Sequence, residues 1–149
     1  MNTDRIEKTI VLRAPQSRVW RALTRTEEFG AWFQVKLDGA FTPGARVVGN
    51  ITSKGYEHVT VEFNVERVEP ERLFSYRWHP YPVGKGLDLS KELTTLVEFQ
   101  LAAVPDGTRL TVVESGFDKL PPERRAEAFR MNDSGWAGQM KNIERYVAT

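Results

Sequence analysis
Apolar residues fall at every second position through the middle of the chain and at helical spacing toward its end, and these two periods divide it into predicted strands and helices. Within residues 5–13, Ile6, Lys8, Ile10 and Leu12 alternate with Glu7, Thr9, Val11 and Arg13, which predicts a first strand. Residues 58–66 carry the clearest alternation: Val59, Val61, Phe63 and Val65 lie on one face and Thr60, Glu62, Asn64 and Glu66 on the other. That is the signature of an antiparallel sheet with one wet face. Phe74, Tyr76 and Trp78 share a face of 73–78, and Val97, Phe99 and Leu101 are in phase within 93–101. Residues 46–53 and 109–115 read as further strands, with turns predicted at Pro43-Gly44, Lys54-Gly55, Pro70-Glu71-Arg72 and Pro105-Asp106-Gly107. Residues 79–88, interrupted by prolines and glycines, read as a long loop.

Helical spacing appears in three places. Pro15 opens a short helix with Val19, Trp20, Ala22 and Leu23 on its apolar side, ending near Thr24. A second is predicted with Thr26 as its N-cap and Glu27 and Glu28 in an acidic first turn. Its aromatics Phe29, Trp32 and Phe33 either anchor it to the core or line the mouth of a pocket. The third spans 121–149, starts at Pro121-Pro122 and carries Phe129, Trp136, Met140, Ile143 and Val147 along one stripe. Asn132 and Asp133, followed by Ser134 and Gly135, interrupt that stripe. Two readings stay open for the interruption: a solvated or kinked turn, or a polar segment facing a ligand.

The predicted order is one strand, two short helices, a run of antiparallel strands and a long helix. This describes a single α+β domain over residues 1–149, in which a curved sheet covers the apolar stripe of the last helix. A chain of 149 residues buries about 70% of its unfolded surface and needs no cross-link. With no cysteine, it holds no disulfide, thiolate metal site or cysteine nucleophile. A formal charge of +1 gives no electrostatic basis for a nucleic-acid or membrane partner. The polar first residues and the lack of a long apolar run lead us to expect a cytoplasmic protein, monomeric or homodimeric.

Residues 10–33 (IVLRAPQSRVWRALTRTEEFGAWF), 61–78 (VEFNVERVEPERLFSYRW), VVESGF ending at Phe117 and the Gly135-Trp136 pair together resemble the SRPBCC or START-like superfamily. The resemblance is to its branch named for the activator of the heat-shock chaperone ATPase, and it covers essentially the whole chain. One departure is Pro43-Gly44-Ala45 where that branch usually has Pro-Gly-Gly; Ala45 fits if its φ is negative. The resemblance implies the helix-grip fold of birch-pollen-allergen-like proteins, six or seven strands wrapped around the C-terminal helix, with a cavity between them in many members. It does not imply one activity, since the superfamily includes lipid and hormone carriers, cyclases and ring-hydroxylase subunits.

Within that frame the chemistry is sparse. His58 and His79 are the two imidazoles, without the carboxylate spacing of a metal set, and no nucleophile elbow, phosphate loop or dinucleotide fingerprint is present. No cofactor, metal or catalytic set is therefore expected. Glu114 stands out because strict alternation puts it on the inward side with Leu110 and Val112. A carboxylate there is either a desolvated ligand-orienting group beside Trp136, turned outward by a bulge or by the strand end at Gly116, or paired with an arginine. The resulting candidate ligand-binding set is Trp32, Phe63, Tyr76, Trp78, Glu114, Asn132 and Trp136, for a small hydrophobic or amphipathic molecule. A cyclase- or hydrolase-like enzyme and a co-chaperone-like interaction domain are the alternatives.

Overall fold
The two periods resolve, in a computed structural model describing residues 4–80 and 93–148, into seven strands and three α-helices among the described residues, with a short 3-10 turn at Phe117–Lys119. The order is β1 (Arg5–Leu12), α1 (Gln16–Thr24), α2 (Thr26–Phe33), β2 (Val35–Asp38), β3 (Arg46–Ile51), β4 (Thr60–Glu69), β5 (Leu73–Trp78), β6 (Thr95–Val104), β7 (Gly107–Ser115) and α3 (Pro122–Val147). All neighbouring strands are antiparallel, in the spatial order β1-β7-β6-β5-β4-β3-β2. The curved sheet has β1 at one edge and β2 at the other, and α3 lies against its inner face. Of the predicted loop at 79–88, all but His79 and Pro80 falls outside the described residues.

Alternation sets the inner face. Phe63, Phe74, Tyr76, Val97, Phe99, Leu110 and Val112 are all fully buried there. One irregularity improves the match: the register slips between Val65 and Arg67, so Val65 pairs with Tyr76 and Val68 with Phe74. A regular strand would turn Arg67 inward and Val68 out; the bulge lets Val68 join the core.

Two local expectations are corrected. Thr26 is not the N-cap of α2; it is the first helical residue, Arg25 occupies the cap, and the Thr26 hydroxyl donates instead to the Gly39 carbonyl at 2.9 Å. The hydroxyl ties down the chain beyond β2 rather than the helix amides. β2, which sequence periodicity does not flag, is just four residues long and alternates too briefly to be recognised. Gln34, at φ +67°, stops α2 and turns the chain into β2. Ala45 has no positive φ, so the departure from the glycine pair is accommodated.

α3 runs without a break through the Asn132–Gly135 interruption. Both polar side chains are engaged away from the helix backbone: Asn132 donates to Glu114, and Asp133 pairs with Lys8 of β1 at 2.9 Å. Side chains so engaged do not compete for helix amides or carbonyls. The buried stripe of Trp136, Met140, Ile143 and Val147 faces the aromatic core. At the far end, Arg18 of α1 pairs with Glu28 of α2 at 2.7 Å, and the Tyr146 hydroxyl of α3 donates to the same carboxylate at 3.1 Å. The three helices are thereby joined.

Candidate functional site
Glu114 is fully buried near the end of β7, paired across the sheet with Ile6 of β1 and Val97 of β6. Neither a bulge nor the strand end turns it outward. Its carboxylate receives hydrogen bonds from two strands, β5 and β6, and from α3. The Trp78 indole N–H donates to Oε2 at 2.8 Å and the Thr95 hydroxyl to Oε2 at 2.5 Å. The Trp136 indole N–H donates to Oε1 at 2.8 Å, and the Asn132 amide bridges both oxygens at 3.0 and 3.1 Å. Trp78 and Thr95 are direct cross-strand partners in the β5–β6 ladder, which brings both to the same oxygen.

Among the described residues no lysine or arginine forms an ion pair with Glu114. Burial pushes its carboxyl above the ordinary carboxylate value, while the hydrogen bonds from Thr95, Trp78, Trp136 and Asn132 pull it back. Two indoles and an amide NH2 are donors at these contacts, and a carboxylate is the acceptor-only group that satisfies all of them together. Beside it Tyr76 is also fully buried, and its hydroxyl has no hydrogen-bond partner among the described residues. Burial, then the Glu114 carboxylate, push that hydroxyl well above its usual value.

A recess of about 90 Å³ opens directly in front of this cluster, lined by Phe33, Trp78, Asn132, Gly135, Trp136 and Gln139. Gly135 leaves it open: no heavy atom lies within 4 Å of where its Cβ would sit, its own helix backbone aside. The rings of Trp78 and Trp136 lie 5.7 Å apart at 30°, and Phe33 meets them edge-on at 5.9 and 6.3 Å. A second concavity, about 400 Å³, sits on the outer face of the sheet among Arg67, Arg72, Glu98, Gln100 and Arg109. It is larger and of mixed polarity, with Leu73, Leu101 and Ala102 also in its lining and Arg67 and Arg72 both paired to Glu69, and Glu114 is not among the residues that line it.

Of the residues singled out from sequence, Trp78, Glu114, Asn132 and Trp136 therefore converge on one point. Tyr76 and Phe63 pack behind them, 4.8 Å apart. Trp32 stands apart from the recess: its indole N–H donates to the Ala22 carbonyl at 2.7 Å and its ring packs on Phe29 and Phe99. Thr95, Phe33, Gly135 and Gln139 belong to the cluster or its rim and lie outside the candidate ligand-binding set. Thr95 has no sequence signal, because threonine is an ordinary strand residue; Phe33 was visible as part of an aromatic helix. His58 is exposed and His79 half-buried, and no cluster of metal-ligating side chains occurs among the described residues.

Seven antiparallel strands curved around a long C-terminal helix, with two short helices after the first strand, define an α+β helix-grip domain. The chain belongs to the family described as Activator of Hsp90 ATPase homolog 1-like protein, which it matches over residues 13–148. A Mesorhizobium loti protein of known crystal structure is similar at 25% identity and a TM-score of 0.77, over 97% of this chain and 96% of that one. The solution structure of a protein from Arthrobacter aurescens reaches a TM-score of 0.80 at 12% identity, over 99% of this chain and 89% of that one. The solution structure of the Aha1 dimer from Colwellia psychrerythraea matches at 18% identity and a TM-score of 0.69, over 96% and 95% of the two chains. No curated protein matches the sequence at a significant level.

Proposed function
We propose that this protein binds a small amphipathic molecule at the junction of α3 and the sheet, with the recess between Phe33, Trp78 and Trp136 taking one end of it. The carrying observation is the pairing of that open recess with a buried carboxylate whose hydrogen-bonding partners, Trp78, Asn132 and Trp136, are also its walls. Buried charge is costly unless it is paired or hydrogen-bonded, and here the groups that hold the carboxylate are the ones that shape the recess. Drug-sized sites occupy roughly 300–1,000 Å³, so the recess takes a headgroup or ring rather than a whole lipid tail.

Binding is favoured over catalysis by the state of Glu114. A carboxylate offers about four lone-pair positions, and Trp78, Thr95, Trp136 and Asn132 fill them. A general base needs a lone pair aimed at the substrate; here the carboxylate acts on a guest through its charge and through the indoles it holds. The homodimer reading draws on the Colwellia psychrerythraea relative, whose structure is described as a dimer.

The test is an NMR screen of small amphipathic molecules against the full chain, read at the amide and indole N–H signals of Trp78, Asn132 and Trp136. Binders that shift these signals, and lose the effect in Gly135→Leu, support the site. A screen whose hits shift other regions alone, or persist unchanged in Gly135→Leu, overturns it. Native mass spectrometry of freshly purified protein then identifies any molecule that copurifies.

A further inference from the structure
The geometry points to a methylated or quaternary ammonium group as the guest of the recess, held against Trp78, Trp136 and Phe33 with the Glu114 carboxylate behind them. The inference rests on the recess being a binding site and names the chemistry of what enters it.

Charge supplies the first reason. Glu114 is an acceptor-only centre of negative charge, fully buried, with donors around it and no cationic side chain paired to it among the described residues. The nearest lysine in the strand beside it, Lys8 of β1, is taken by Asp133. A buried charge without a counter-charge is the condition a cationic guest relieves.

The rings supply the second. Three aromatic side chains line a space of about 90 Å³, and a cation within about 6 Å of an aromatic centroid is attracted by the electron-rich face, most strongly for Trp. Both tryptophans donate their N–H to the carboxylate at 2.8 Å. Donation to an anion pushes electron density back into an indole, which strengthens its attraction for a cation in front of it.

Hydrogen-bond capacity supplies the third and narrows the class. A primary ammonium carries three N–H donors that need acceptors once desolvated, and the Glu114 lone pairs are already occupied. An alkylated ammonium brings charge without N–H groups to satisfy, so it matches an aromatic recess with a saturated carboxylate behind it.

The experiment titrates the full chain with choline and, separately, with 3,3-dimethylbutan-1-ol, its uncharged isostere, following the indole N–H signals of Trp78 and Trp136. The expected result is choline binding about tenfold or more tighter than the alcohol, with Glu114→Gln bringing choline down to the level of the alcohol and Gly135→Leu excluding both. Equal affinity for the two probes overturns the ammonium inference while leaving a binding recess in place. Failure of both to shift the indoles also overturns it, and the broader screen then decides the recess by itself. If Glu114→Gln does not fold, the ratio of the two affinities on the wild-type protein is decisive alone.

Discussion

Trp78 and Trp136 donate their indole N–H groups to opposite oxygens of one carboxylate, each at 2.8 Å, one from the sheet and one from the long helix. Glu114 is therefore the point at which the inner face of β5 and the middle of α3 are held to each other. The Asn132 amide of α3 adds a donor to the same carboxylate, and around this pin the junction is aromatic packing, with Trp136 also against Phe99 at 5.7 Å. The polar pin sets distance and angle where apolar contacts alone tolerate sliding.

Removing the pin separates two costs. Glu114→Leu leaves the buried Trp136 indole N–H and Thr95 hydroxyl without their acceptor, each orphan costing about 1–3 kcal/mol, while the half-buried Trp78 and Asn132 can turn to water, so a loss of about 2 kcal/mol or more is expected in urea denaturation. Glu114→Gln keeps an acceptor oxygen and is expected to lose less. The pH dependence carries the sign of the burial. Burial raises the folded-state pKa of this carboxyl above its ordinary value, so between the unfolded and folded values the native protein retains a proton that the unfolded chain has released. Stability contributed at this group is full below the unfolded value and declines as pH rises through the folded pKa. The wild type should lose ground to Glu114→Gln as pH rises from the ordinary carboxylate range through the folded pKa, above which the group is ionised, by about 1.4 kcal/mol per unit of separation between the two pKa values. A difference that stays constant, or moves in favour of the wild type, contradicts the desolvated carboxylate.

Asn132→Asp reverses the charge logic at the same place. The amide bridges both Glu114 oxygens at 3.0 and 3.1 Å, and a second carboxylate there cannot ionise beside the first without severe repulsion. The pair then retains a shared proton. We expect a stability loss of about 2 kcal/mol or more at neutral pH that is recovered on acidification. Asn132→Ala is the control: it removes the bridging amide from a charged group, with a hydrogen bond to such a group worth about 1.5–3 kcal/mol, without a second titrating site. Thermal melts of both variants at several pH values check the contrast; parallel curves for the two would show that repulsion is not the dominant effect.

The inner face was legible in the sequence because period-two alternation survives almost any error in the elements around it. Phe63, Tyr76, Trp78 and Glu114 all point inward as their spacing requires, and the stripe from Trp136 to Val147 is buried as its helical spacing requires. What meets what was not legible. Thr95 reaches Glu114 because β5 and β6 pair Trp78 with Thr95, and register across a long connection is not written in either strand. Asn132 read as an interruption of a helix because its partner lies eighteen residues away on another element. Trp32, equally aromatic in sequence, spends its indole N–H on the Ala22 carbonyl and packs in the core outside the recess, and the Val65–Arg67 bulge that brings Val68 inward breaks the very alternation used to find the strand.

Tyr76→Phe tests whether the unpaired hydroxyl beside the carboxylate is a cost. A buried hydroxyl without a partner is unfavourable by about 1–3 kcal/mol, and phenylalanine fills nearly the same space. Stability should rise by about 1 kcal/mol, seen as an increase in Tm of about 2–4 °C for a chain of this size. A fall in Tm would mean that the hydroxyl has a partner in solution, and the recess would gain a polar contact at its back wall.

Two helical glycines predict opposite outcomes for the same substitution. Ordinarily Gly→Ala inside a helix stabilises by about 1 kcal/mol, because the glycine backbone loses more freedom on folding. Gly135 in α3 meets that ordinary condition, with no heavy atom within 4 Å of its Cβ position outside its own helix backbone, so Gly135→Ala should raise stability by about that amount. Gly30 in α2 does not: a Cβ there would lie 2.3 Å from the Val35 carbonyl oxygen, where α2 turns through Gln34 into β2. Backbone cannot swing aside as a flexible side chain can, so either the end of α2 or the start of β2 must shift, and both carry core residues, Phe33 and Val35. Gly30→Ala should therefore destabilise by about 1–3 kcal/mol, in the range for overpacking, despite the better helix propensity of alanine. Urea denaturation of the two variants side by side decides it: a shift of both midpoints upward would show that the α2–β2 corner is looser than its close approach implies. Because Phe33 is also a wall of the recess, a displaced corner in Gly30→Ala should weaken binding of any guest found there, whereas the methyl group of Gly135→Ala narrows the same opening from the other side without moving the rings.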